Sequence, residues 1–248
     1  MSRLELQFLG SGDAFGSGGR LQTCLLLRGA AGGSVLIDCG ASSLIAMKRA
    51  GVDPSSIEWV LLSHLHGDHF GGVPFMVLDG QFRKRTRPLH VAGPPGVVER
   101  VVAAMEVLFP GSSTAARPFA LEFIELKARQ PTPLGPAGVT AFEVAHMSGA
   151  PSYALRVEYA GKTVAYSGDT EWTDTLVEVA AGADLFVCEA YFFAKQVKYH
   201  LDYHTLMSHR PRLACRRLIL THMSQEMLDR GAEVETERAD DLKVIGLS

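Results

Sequence analysis

Short apolar runs broken by glycine set the pattern of this chain. "LELQFLG" alternates apolar and polar positions and stops at Gly10, which predicts a strand. "TCLLLRG" and "SVLIDCG", separated by "AAGG", read as a hairpin. "SSLIAMKRAG" has the apolar spacing of a helix, with a serine at its N-cap and Gly51 to stop it. "IEWVLLS" predicts a strand, "FMVLDGQF" a helix, "PLHVAGPPG" a strand ending in a turn, and "VVERVVAAMEVLF" a helix.

Beyond them, "ALEFIEL" and "GVTAFEVAH" predict strands on either side of "KARQPTPLGPAG", a loop rich in proline and glycine. "SYALRVEY" and "KTVAYSGDT" predict two strands turned at Ala160-Gly161, followed by a helix starting near Trp172. "ADLFVCEA" reads as a buried strand, "YHTLMSHRPRLA" as a helix with a proline inside it, and "RRLILTHMS" as a strand running into a loop. From Gln225 the tail is charged and mixed. Strands then helices, repeated once with no long polar linker, predict one α/β domain over residues 1–248, two sheets stacked between helical layers.

Composition narrows this picture. The 248 residues are 47% apolar and 21% charged with a net charge of −3, so no global basic field gathers nucleic acid or anionic membrane. No apolar run approaches the roughly 18–20 residues needed to span a bilayer, and the start shows no leader pattern. Cys24, Cys39, Cys188 and Cys215 form no C-x-x-C pair and read as buried thiols of a reducing compartment. A cytoplasmic protein without a membrane partner is expected.

The candidate chemistry lies in "LLSHLHGDHFGGVP". In an extended chain residues i and i+2 point the same way, so His64 and His66 can converge on one point. On a helix they would project about 200° apart. Gly67 permits a bend that swings Asp68 and His69 toward a neighbouring point, so one loop can serve two metal ions. Imidazole and carboxylate together suit zinc best, with manganese or iron also in range. The remaining donors are expected just past other strand ends, where His146 ends "VTAFEVAH", Asp169 follows "TVAYSG" and His222 follows "LILT".

In this order, "SHLHGDHFGG", His146, "YSGDT" and "LTHMS" resemble the metallo-β-lactamase superfamily. The resemblance runs essentially end to end and implies a four-layer αββα sandwich. It implies one metal on His64, His66 and His146, a second on Asp68, His69 and His222, and Asp169 bridging both. Fold alone does not fix the reaction. "LQFLGSGDAFGSGGRLQTCLLL", "HLHGDH", "RPLHVAGPPG", "YSGDT" and "EAYF" followed by "YHTL" resemble ribonuclease Z and related phosphodiesterases.

By that resemblance Glu189 and His204, with Thr205 beside it, support proton transfer at the phosphate; Asp68, a ligand that can also accept a hydrogen bond from a metal-bridging hydroxide, is expected to orient it for attack. Bacterial ribonuclease Z typically inserts a tRNA-gripping arm between the positions of His146 and Asp169. Here only 22 residues separate them, enough for two strands and no arm. A small or cyclic phosphodiester is therefore the expected substrate, ahead of tRNA or another RNA 3′ end. The early-loop zinc cysteines of the phosphodiesterase associated with carbon–phosphorus lyase are not matched, since only Cys24 is present. Many relatives are dimers, so the resemblance also brings in a homodimer.

Rival readings are a lactone or thioester hydrolase of the same fold, a di-iron oxidoreductase, and a non-catalytic binding protein. The di-iron pattern H-x-E-x-D is not matched, because His66 stands at its middle position. Arg83, Lys84, Arg85 and Arg87 in "QFRKRTRP" read as a solvated loop. The glycines from 10 to 19 do not fit G-x-G-x-x-G and read as a tight loop, with Ser11 or Asp13 able to line the pocket. His90 reads as structural, Trp59 and Trp172 as packing residues, and His200 and His209 carry no assignment.

Overall fold

The computed structural model of the chain describes residues 4–29 and 32–247. The first half runs β1 (Leu4–Gly10), β2 (Cys24–Gly29), β3 (Ser34–Ile37), α1 (Ser43–Arg49), β4 (Trp59–Leu61), α2 (Gly67–Phe70), α3 (Val73–Phe82), β5 (Leu89–Gly93), α4 (Val97–Leu108) and β6 (Leu121–Glu125). The second half runs β7 (Thr132–Leu134), β8 (Ala137–Val144), β9 (Ser152–Tyr159), β10 (Lys162–Tyr166), α5 (Thr175–Ala180), β11 (Leu185–Glu189), α6 (Tyr203–His209), β12 (Leu218–Thr221), α7 (Gln225–Asp229) and β13 (Val244–Leu247). One sheet has the order β13-β1-β2-β3-β4-β5-β6 and the other β12-β11-β10-β9-β8-β7.

The unbroken apolar runs arise because the inner strands are buried on both faces. Leu25, Leu27, Val35, Ile37 and Leu61 pack between the sheets against Leu155, Val157, Val164 and Val187. Their neighbours Leu26, Leu36, Val60 and Leu62 point the other way, onto Ala46 and Met47 of α1, Val77 of α3 and Val101 of α4. In the second sheet Ala165, Phe186, Cys188 and Leu220 likewise pack outward, with Leu176 of α5, Leu206 of α6 and Met227 of α7. These three cores make the α/β sandwich four layers deep, in the order αββα.

β3, β4, β5 and β6 run parallel, as do β10, β11 and β12. Ile37 pairs with Leu61, Tyr166 with Val187, and Glu189 with Thr221, so the strand ends bearing Asp38, Ser63 and His222 are level within their sheets. Carboxyl ends of parallel strands are where such sheets place their ligands.

Several local expectations change. Ser42 does precede α1, but its backbone is helical and its side chain makes no cap; its Oγ accepts from the Gln22 amide at 2.8 Å. The hairpin of β2 and β3 forms, with Ala30 and Ala31 of its turn outside the described residues. The loop "KARQPTPLGPAG" contains β7, an edge strand in which Pro133 is tolerated. The helix placed near Trp172 begins at Thr175. Pro211 lies in a single 3₁₀ turn after α6, not inside that helix. Within the mixed tail, β13 pairs with β1. Among the described residues no helix is long and apolar enough to cross a membrane.

Candidate metal centre

The loop after β4 leaves the sheet extended through His66 (φ −84°, ψ 151°) and then turns into α2, which carries Asp68 and His69. The bend is thus a helix start in the ordinary right-handed region, not a glycine-specific kink. A Cβ at Gly67 would meet open space, and Gly67 instead lines the cleft. Gly40 is where close approach matters: a Cβ there would sit 2.2 Å from the Asp68 carbonyl oxygen. Gly168 (φ 59°) has the same constraint, with the Tyr153 carbonyl 2.7 Å from a would-be Cβ, and delivers Asp169.

Two sets of donors meet at the strand ends, and His146, Asp169 and His200 form a third, overlapping group within 4.8 Å of one another. Donor atoms of His64, His66 and His146 lie within 4.8 Å of one another, and so do those of Asp68, His69, Asp169 and His222. Asp169 Oδ2 is 3.8 Å from His64 Nε2, 3.3 Å from His69 Nε2 and 3.2 Å from His222 Nε2, which puts it between the sets. His146 Nε2 lies 3.0 Å from His66 Nδ1, and His69 Nε2 lies 3.3 Å from Asp68 Oδ2. Tetrahedral coordination with bonds near 2.0–2.1 Å separates ligand atoms by about 3.3 Å. The spacing fits divalent cations, and His64 Nε2, His69 Nε2 and Asp169 Oδ1 are buried without a hydrogen-bond partner.

Groups behind the donors fix their tautomers. Buried Asp38, itself left-handed (φ 57°), accepts from the Ser63 amide at 2.7 Å, the Ser63 hydroxyl at 2.8 Å, His69 Nδ1 at 2.7 Å and the Tyr166 hydroxyl at 3.0 Å. With its proton on Asp38, Ser63 Oγ takes the Nδ1–H of His64 at 3.0 Å. His146 Nδ1 donates to the Tyr199 carbonyl at 2.9 Å. His64 and His146 therefore turn bare Nε2 atoms toward the centre, and Nε2 is the nitrogen that His69 leaves for a metal.

Burial pushes His64, His66, His146 and His222 below the usual histidine range, so each is neutral and able to ligate. Burial acts the same way on His69, but Asp169, Asp68 and Asp38 outweigh it and raise the group. Burial would raise Asp68 and Asp169; the surrounding imidazoles overcome it and hold both carboxyls down. A proton on His69 Nε2 and a divalent cation compete for the same place.

A cleft of about 370 Å³ opens over the centre, walled by Ala14, Phe15, Tyr191 and His200 as well as the donors His66, Asp68, Asp169 and His222. His204 is not brought there. It is exposed at the start of α6, with its ring against Phe193 at 4.7 Å. The histidine on the cleft wall is His200, whose Nδ1 lies 3.0 Å from Glu189 Oε2. Glu189 is fully buried behind it, with Oε1 accepting from the Thr170 amide, and does not line the cleft. Burial pushes Glu189 up to about 8, while His200, which burial would depress, is lifted to about 9 by that carboxylate. His200 Nδ1 and Glu189 Oε2 thus share a proton along one hydrogen bond.

Sequence reasoning also missed Asp38, although it ends an apolar run just as Asp169 and His222 do. Ser11 and Asp13 are buried but turned to other work: Ser11 donates to Asp241, and Asp13 accepts from the amides of Phe15 and Ser17. Their neighbours Ala14 and Phe15 reach the cleft instead. Arg85 is buried with its guanidinium donating to the carbonyls of Pro54 and Arg87, so the basic run is partly scaffold. Trp59 stacks on His90 and Trp172 on His209, as packing residues do.

The sandwich, with its His/Asp cluster at the strand ends, has the metallo-β-lactamase architecture, and similar proteins put the chain among hydrolases of the ribonuclease Z-like branch. The chain is 30% identical to a ribonuclease Z of Mycolicibacterium paratuberculosis, over 88% of this chain and 85% of that protein. It is 27% identical to a ribonuclease Z of Lachnoclostridium phytofermentans over 90% and 88% of the two chains. That alignment spans 276 positions, more than this chain has residues, so the relative carries segments absent here. Similar solved structures include the metallo-β-lactamase fold protein YhfI of Bacillus subtilis (TM-score 0.80, 21% identity, 99% of this chain and 100% of that one). A diphosphatase from the PhnP family is another (TM-score 0.76, 18% identity, 99% and 98%). Residues 4–240 match the family model described as Anti-Pycsar protein Apyc1, and the chain belongs to that family. It is a metal-dependent nuclease or phosphodiesterase.

Proposed function

We propose that this enzyme hydrolyses a small or cyclic phosphodiester rather than a structured RNA. The observation that carries the reading lies between His146 and Asp169, where the chain is used up by β9, β10 and the two-residue turn at Ala160 (φ 52°) and Gly161 (φ 76°). No segment there projects to grip a large substrate, and longer ribonuclease Z relatives have residues to spare. The family's anti-Pycsar description is carried over as a role to be tested with the same protein.

In this reading His64, His66 and His146 hold one divalent ion, Asp68, His69 and His222 hold the other, and Asp169 serves both. Zinc is the proposed metal, with manganese or iron as alternatives. When bound, such a pair supplies charge for a phosphoryl oxygen and acidifies a shared water. Asp68 accepts a hydrogen bond from the attacking water and aims it. His200 takes over the part expected of His204: with Nδ1 held by Glu189, its Nε2–H faces the cleft and gives a proton to the departing oxygen. Free cysteines at all four positions suit a cytosolic setting.

The test is turnover of 3′,5′-cyclic nucleotides, small phosphodiesters and precursor tRNA by metal-analysed protein. Cleavage of a small or cyclic diester is expected, with Asp169→Ala reducing it to background. Efficient processing of precursor tRNA with no turnover of small diesters would overturn the reading.

A further inference from the structure

Tyr199 is a non-glycine residue in the left-handed region (φ 73°), in a turn beside the centre. Such a conformation persists only where its surroundings hold it. Here two consecutive residues serve the site in different ways: the Tyr199 carbonyl accepts from His146 Nδ1 at 2.9 Å, and the His200 ring forms the cleft wall. The Tyr199 amide, on the other side of the residue, donates to Glu171 Oε2 at 3.1 Å.

Glu171 is itself tied to the strand end that carries His146. Its amide donates to the Ala145 carbonyl at 3.2 Å, and its carbonyl accepts from Thr170 Oγ1 at 2.7 Å, the same hydroxyl that accepts from the Ala145 amide at 3.1 Å. The bonds close a ring: Ala145 to Glu171, Glu171 to Tyr199, Tyr199 back to His146. Asp169, in the other donor set, lies two residues from Glu171 on the same strap.

We propose that Glu171 is a positioning residue for the metal centre: its carboxylate holds the Tyr199 peptide in its strained orientation, so that the Tyr199 carbonyl fixes His146 in the Nδ1–H tautomer with Nε2 aimed at the ion. The inference rests on the reading of His146 as a ligand. It assigns a task to a residue that belongs to none of the donor groups and does not line the cleft over the centre.

Zinc titration by calorimetry on the folded full-length chain tests it. Glu171→Ala is expected to weaken the ion shared by His64, His66 and His146 by about 10–100-fold, the usual effect of losing support behind a ligand, with the other ion unchanged. Glu171→Gln keeps an acceptor oxygen and is expected to restore affinity. Imidazole ¹⁵N NMR gives a second readout, with His146 passing from one tautomer to a mixture in the Ala variant only. Native affinity for both ions and an unchanged tautomer in Glu171→Ala would overturn this inference alone, as would a Gln variant as weak as Ala. A His146→Ala protein that still takes both ions with native affinity would overturn the ligand reading as well.

Discussion

The two sides of the metal centre are held in different ways. On one, Asp38, Ser63, His64 and His69 are fully buried, and four donors converge on the single carboxylate of Asp38. On the other, Tyr199 and His200 are half-buried in a turn, where the Tyr199 amide donates to Glu171 and His200 Nδ1 to Glu189. A buried polar hub gives one geometry at high cost if broken, whereas side chains on a half-buried turn can be altered with less effect on the fold. The first side suits fixed ligands; the second suits groups that meet substrate.

The strongest test of this contrast is Asp38→Ala. It leaves the Ser63 amide, the Tyr166 hydroxyl and His69 Nδ1 without their acceptor, and denaturant unfolding is expected to show a loss of about 3–5 kcal/mol, as when one partner of a buried pair is removed. A loss below about 1 kcal/mol, the size of an ordinary surface change, would erase the difference between the two sides. On the opposite side, His200→Ala is expected to lower turnover by about 10²–10⁴-fold, with unchanged unfolding midpoint and metal content. His204→Ala, on an exposed ring, is expected to leave turnover at the native level; a drop would reinstate it and remove His200 from the scheme.

Gly67→Ala asks whether the floor of the cleft needs glycine for its fold. Its backbone is right-handed and the added methyl meets open space, so stability is expected to stay within about 0.5 kcal/mol while KM for bulky diesters rises. The smallest effect is a reference pair remote from these arguments. The Arg217 hydrogen bond, against a smaller opposing effect of burial, brings Glu237 down to about 2. Because the folded group is more acidic than the unfolded one, its stabilisation is present above the ordinary glutamate range and fades as pH falls toward 2. The pair is partly exposed, so Glu237→Gln is expected to cost less than about 1 kcal/mol at pH 7 and progressively less in thermal melts as pH falls through the folded value.

What could be read from the sequence follows the same division. The spacing of His64, His66, Asp68 and His69 and the strand-end positions of His146, Asp169 and His222 are local patterns, and the chain brings those seven donors together. The inner strands were legible because runs such as "LLL" are buried on both sides. His200 was not, since "YHLDYHTL" offers two histidines four positions apart and the choice between them depends on the left-handed turn at Tyr199. Asp38 obeyed the strand-end rule, but its burial exists only once β3 lies beside β4 and opposite β10. β13 has four residues and owes its existence to pairing with β1 at the far end of the chain, which no local pattern announces.

Strands apolar on both faces carry a further consequence. In a sheet with one wet face, sliding a strand by one residue turns its oily side to water and is penalised at once. Here sliding β3 or β4 would merely exchange Leu36 for Ile37 or Val60 for Leu61, greasy for greasy. The alignment of these strands must be locked by what lies at their tips, and the Asp38 cluster is such a lock: the bonds that aim the ligands also set how the sheet is stitched.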